Sequence, residues 1–208
     1  VVTNYHVIHG AKKIQVKLIN EAILDAEVAL KSPEKDIAIL KLNGTPSVKR
    51  MNVRLTNFSE IRTGDKVFTY GFPIVDFLGD VSSRYSEGVI NSLNGMKKNQ
   101  DQFQMSIPIQ PGNSGGPVFN EQGKLVGVTT HTIDALMTME IYGAVPQNVN
   151  FGVKSSVLAS LLSEIPEILQ FNMGIVPVPS EQFSLRDFKE DIKKNIVFIE
   201  VSIEKEVG

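Results

Sequence analysis

The chain of 208 residues contains no cysteine and no tryptophan, and its only histidines are His6, His9 and His131. Without cysteine there is no disulfide framework, no thiol nucleophile and no thiolate metal site. Three histidines so placed make a histidine-rich metal centre unexpected, and no cofactor is expected. Charge of one sign is also scarce, because 21 basic and 23 acidic residues leave a net charge of −2. So weak a field recruits neither nucleic acid nor an anionic membrane surface. No apolar run approaches the roughly 18 residues that cross a bilayer as a helix, so no membrane span is expected. Neither an initiator Met nor a charged leader precedes Val1-Val2-Thr3, and the start is expected to be a cut one.

What is present is an ordinary packed-core composition, 42% hydrophobic and 21% charged. Short strands with turn punctuation dominate the first 155 residues. Residues 14–18 alternate apolar and polar, residues 22–30 are strand-like, and residues 37–42 end at the Asn43-Gly44 turn pair. Segments 66–70, 88–93, 103–109, 117–120 and 124–130 continue the series, with Gly and Pro between them. Such spacing predicts antiparallel barrels or a sandwich rather than βαβ units. From residue 155 to 169 the apolar period becomes helical, limited by Pro166. A Pro-containing link, a second helix over 184–194 and a last strand over 196–203 follow.

The sharpest local feature is Gly112-Asn113-Ser114-Gly115-Gly116-Pro117. A serine hydroxyl attacks a carbonyl only when a neighbouring base takes its proton, and the resulting oxyanion needs fixed donors. Glycines permit the tight backbone that aims adjacent N–H groups into one space. The backbone of Gly112 and Ser114, with Asn113, supplies the expected donors. An ordinary glycine-rich turn is the competing reading. The string also fits the nucleophile elbow of α/β-hydrolases, which requires a strand-to-helix junction with acid and His after the Ser. Here a strand follows, and the candidate acid and His precede it. His6 is the expected base and Asp36, directly ahead of the apolar strand 37–42, the expected orienting acid. Taken singly, a His with one hydrogen bond and a loop acid are common. The ordered set of three is not.

Residues 3–7 (TNYHV), 36–41 (DIAILK) and 112–117 (GNSGGP) resemble the three catalytic blocks of HtrA/Deg-type trypsin-like serine proteases. Residues 64–67, 86–90, 125–128 and 149–153 match further strings, so the resemblance covers residues 1 to about 163. It implies an all-β fold of two antiparallel six-stranded β-barrels of the chymotrypsin type, with the triad His6, Asp36 and Ser114 between them. The expected organisation is an N-terminal barrel over 1–60, a C-terminal barrel with closing helix over 61–165, and a tail over 166–208. The strand pair such proteases carry ahead of the His block is absent, and the strand 196–203 is expected to take its place. Residues 166–208 are too few for a PDZ module. Asn113 stands where digestive relatives have Asp, so activation by trypsin-style cleavage is not expected.

By the same resemblance, Pro108, Ile109, Thr129, Thr130, His131, Asn150 and Phe151 line the substrate pocket. Their mainly apolar character and the lack of a pocket Asp imply a preference for aliphatic side chains, with strand 128–131 pairing to extended peptide. His131 with Thr129 and Thr130 keeps a glutamate-specific pocket open as an alternative, and an inactive scaffold as another. Expected partners are unfolded or extended proteins and peptides, with a homo-oligomer open. An extracytoplasmic place of action follows from the resemblance alone.

Overall fold

The structure is a computed structural model and describes residues 1–73, 82–132, 148–170 and 183–203. Strands β1 (Val2–Thr3), β2 (Lys13–Lys17), β3 (Ile23–Ser32), β4 (Ile37–Leu42) and β12 (Phe198–Ser202) form one antiparallel sheet. Their spatial order is β1-β4-β3-β2-β12, and among the described residues β1 and β12 are its edges, so this unit is a half-barrel.

The second sheet closes on itself. Strands β6 (Lys66–Gly71), β7 (Arg84–Ser92), β8 (Gln102–Met105), β9 (Pro117–Asn120), β10 (Lys124–Thr132) and β11 (Asn150–Lys154) run β11-β8-β7-β6-β9-β10. Pairing of β10 with β11 then completes a six-stranded antiparallel barrel. Strand β5 (Arg54–Leu55) lies parallel to β10 as an addition outside the ring. A chymotrypsin-like double-barrel arrangement is therefore present, with one barrel closed and the other half-formed.

Burial explains which segments became strands. In β2 only Ile14 and Val16 are buried, the alternation of a strand with one wet face. Residues 37–40 of β4 are buried without interruption because both faces are covered. Ile37 and Ile39 join the core shared with Phe68, Phe119 and Val128 of the closed barrel. Ala38 and Leu40 turn the other way, to Ile8 and Ile14. A strand packed on two sides reads as a continuous apolar run, as this one does.

The helix expected over 155–169 is two. Helix α2 (Ser155–Leu162) stops, and α3 (Pro166–Gln170) begins at the proline, whose missing N–H is harmless only in a first turn. The strand expected over 103–109 ends at Met105, although the Ser106 N–H still donates to Val89 O at 3.0 Å; Pro108, with no N–H, adds no rung beyond. Helix α4 (Leu185–Lys193) starts at Ser184, whose Oγ accepts the Asp187 N–H at 3.3 Å. No helix among the described residues is long and apolar enough to cross a membrane.

Candidate active site

His6 sits in a one-turn helix, α1 (Tyr5–Ile8), immediately after β1. Asp36 closes a turn in which its N–H donates to Pro33 O at 3.2 Å, and it adopts φ +52°. Asp is among the few residues that tolerate this left-handed backbone, which turns the chain sharply into β4. The two side chains meet: His6 Nδ1 lies 2.9 Å from Asp36 Oδ2 and 3.1 Å from Oδ1. An ionised carboxylate only accepts, so Nδ1 carries the proton in the neutral ring and Nε2 is its basic nitrogen.

Asp36 is held from several directions. The His6 backbone N–H donates to Oδ1 at 3.0 Å, and Thr130 Oγ1 donates to Oδ2 at 2.6 Å. Asn4, fully buried, donates from Nδ2 to the Asp36 carbonyl at 2.8 Å. The pair is enclosed at the acid and open at the base, with side-chain exposures of 13% and 44%.

Two tight turns in succession make the loop carrying Ser114. Asn113 N–H donates to Gln110 O at 3.0 Å and Gly116 N–H donates to Asn113 O at 3.0 Å. The third residue of each turn is a glycine with positive φ, Gly112 at +96° and Gly115 at +81°. That is the type II signature, and Pro111 ahead of Gly112 favours it further. A Cβ on Gly115 would stand 2.5 Å from Thr3 Oγ1 and 3.0 Å from Asn4 N. The loop therefore rests directly on the junction that leads into His6. Ser114 is half-buried, and it lines with His6 and Thr130 a cavity of about 1420 Å³ between the two sheets.

Of the three expected oxyanion donors, the Asn113 N–H is committed to Gln110. The N–H groups of Gly112 and Ser114 have no acceptor among the described residues. The expected pocket residues divide in the same way. Ile109 lines the cavity, and Pro108 is exposed. Thr129 is fully buried, and its hydroxyl bonds the carbonyls of Asn113 and Gly116, bracing the Ser114 loop. Thr130 spends its hydroxyl on Asp36. Asn150 donates from Nδ2 to Ile107 O at 2.7 Å, and Phe151 is only 4% exposed. Thr129, Asn150 and Phe151 are buried, and Thr130, buried as well, also lines the cavity. The side chain of His131 lies outside the described residues. Tyr70 also faces the cavity; burial, then the Glu190 carboxylate, holds its phenol above the ordinary value. Asn4 lies in the 3–7 block, two residues before His6, but nothing in the sequence assigns its side chain a role.

Comparison with known proteins gives the geometry a context. A model of the trypsin-like peptidase domain matches residues 1–128. The uncharacterized protein y4bJ of Sinorhizobium fredii is 35% identical over 189 residues, 91% of this chain and 28% of that protein. A probable periplasmic serine endoprotease, DegP-like, of Buchnera aphidicola is 31% identical over 188 residues, 85% of this chain and 36% of its own length. Among solved structures, an HtrA-type protease, AlgW with decapeptide, superposes with a TM-score of 0.61 at 27% identity. That match covers 81% of this chain and 48% of that one. The chain thus spans less than half the length of each of these relatives.

Proposed function

The chain belongs to the trypsin-like peptidase family and is of its HtrA/Deg-like kind, and on that footing we propose that it is a serine endopeptidase with the triad His6, Asp36 and Ser114. The carrying observation is the His6 Nδ1 to Asp36 carboxylate pair, at 2.9 and 3.1 Å, on the cavity that Ser114 shares.

In this reading Asp36 fixes the tautomer of His6, and Nε2 takes the Ser114 proton as Oγ attacks the substrate carbonyl. The N–H groups of Gly112 and Ser114 hold the oxyanion. His6 then protonates the leaving amine, and an acyl-enzyme on Ser114 is hydrolysed by water through the same base. Substrates are proteins or peptides in extended form, cut preferentially after aliphatic residues. In support, Ile109 lines the cavity and no Asp or Glu is among its described lining residues. The proposed units are 1–60, 61–165 and a tail over 166–208, with β12 of the tail joining the sheet of the first unit and β5 of the first unit pairing with β10 of the second. An extracytoplasmic place of action is supported by the periplasmic DegP-like relative.

The test is cleavage of an unfolded protein, with product ends read by mass spectrometry and Ser114→Ala as control. Cuts after Val, Ile or Leu that vanish in the variant support the reading. Dominant cuts after Glu would replace the aliphatic preference with a glutamyl one, and intact substrate would favour a scaffold.

A further inference from the structure

We propose that the C-terminal tail sets the oxyanion hole, and that Phe198 is the positioning residue through which it does so. The inference deepens the serine-endopeptidase reading and rests on it.

Strand β12 is registered on β2 over five residues, from Phe198 opposite Lys17 to Ser202 opposite Lys13. The Lys12 N–H extends the ladder to Ser202 O at 2.9 Å. Phe198 therefore has a fixed height on the half-barrel. Its ring meets Phe72 edge to face, with centroids 5.5 Å apart and planes at 72°. Phe72 is 9% exposed and follows β6 of the closed barrel, so this contact joins the two sheets.

Phe72 in turn holds Gly112 by its backbone. The Phe72 N–H donates to Gly112 O at 3.1 Å. The Phe72 carbonyl approaches so closely that a Cβ on Gly112 would lie 2.0 Å from it. Gly112 occupies the third position of the Gln110–Asn113 turn, and its N–H is one of the two proposed oxyanion donors. The path from tail to donor is one aromatic contact and one backbone clamp long. A shift of Phe72 therefore bears on Gly112 at its carbonyl and its Cα, the atom next to the proposed donor N–H.

The tail is anchored firmly enough to act as a support. Ile192 of α4 is 2% exposed within the core shared by both sheets. Phe188 stacks edge-on against Phe119 and Phe68, at 5.2 and 6.5 Å. Between α4 and β12, Asn195 Oδ1 accepts the Met51 N–H at 3.1 Å. Anchors on both sheets make the tail a strap whose end bears on the residue that clamps the oxyanion loop.

The experiment compares the full chain with Phe198→Ala, Phe198→Leu and Val201→Ala. Val201 lies on the same strand, but its apolar contacts are with the inner core of the half-barrel. It serves as the matched loss of strand packing. Two readouts are taken where all the proteins are folded: hydrogen exchange at the Asn113 amide, and kcat and KM on a peptide substrate. Expected for Phe198→Ala are faster Asn113 exchange and a kcat reduced roughly 10- to 100-fold at unchanged KM, the scale of a misplaced catalytic group. Phe198→Leu recovers most of both, and Val201→Ala changes neither. Unchanged Asn113 exchange in Phe198→Ala, or equal effects from Val201→Ala, would overturn the proposal. If wild type itself shows no turnover, the endopeptidase reading fails, while the exchange data still decide whether Phe198 governs the loop.

Discussion

Thr130 donates its hydroxyl hydrogen to Asp36 Oδ2 at 2.6 Å from 94 residues further along the chain. Thr130 belongs to β10 of the closed barrel and Asp36 to the half-barrel. The bond therefore crosses the cleft and ties the His6–Asp36 pair to the unit that carries Ser114. Thr130 is completely buried, so no water substitutes for it at low cost. Thr130→Val keeps the shape and removes the donor. A hydrogen bond to a charged group contributes about 1.5–3 kcal/mol, which corresponds to roughly tenfold or more in kcat. Steady-state kinetics should show that loss at nearly constant KM, with Thr130→Ser close to wild type.

Asp36→Asn offers a stricter test of the tautomer argument. The amide retains size and one acceptor but presents an N–H that turns the imidazole to the wrong tautomer. We expect kcat at neutral pH to fall about 10⁴-fold, as such exchanges do in related triads. The circular dichroism spectrum should be unchanged. A loss below tenfold would mean that Asp36 is a structural acid.

Gly112→Ala and Gly115→Ala each force a side chain onto a left-handed backbone and into a neighbour. The clash partners are the Phe72 carbonyl and the Thr3 hydroxyl. Both variants should abolish turnover while most of the two sheets still melt cooperatively. Thermal unfolding paired with an activity assay separates that outcome from global misfolding.

Much of this is legible in the sequence. Turn glycines, alternating strands and three ordered blocks point to the fold and to the candidate triad, because local backbone demands and chemistry coincide in those strings. The resemblance places Thr129, Thr130 and Asn150 in the substrate pocket, but it does not reveal that their polar atoms bond Asn113 and Gly116, Asp36 and Ile107. Those partners lie 13 to 94 residues away, and no periodicity in a strand reports them. The break between α2 and α3 was half legible, since Pro166 limits a helix but also begins one well. Strand β5 has two residues and no pattern to detect.

Tyr70 gives a pH dependence with a definite sign. Its phenol is raised above 10.0 by burial and then by Glu190. Below the unfolded value near 10 both states are protonated, and the stability tied to this group is fully present. Above it the unfolded state releases its proton first, so stability falls as pH rises toward the folded value. Urea midpoints measured from pH 8.5 to 11 should decline less steeply in Tyr70→Phe than in wild type. Equal slopes would contradict the buried-phenol assignment.

The central claim is that Ser114 is a nucleophile activated by His6 and Asp36, and a fluorophosphonate probe tests it most directly. The protein is treated near pH 8 and its intact mass recorded, alongside Ser114→Ala and His6→Ala. The account predicts one adduct on wild type, none on Ser114→Ala, and labelling of His6→Ala slower by several orders of magnitude. Well-folded wild type that takes up no adduct, or an adduct that persists in Ser114→Ala, would contradict it.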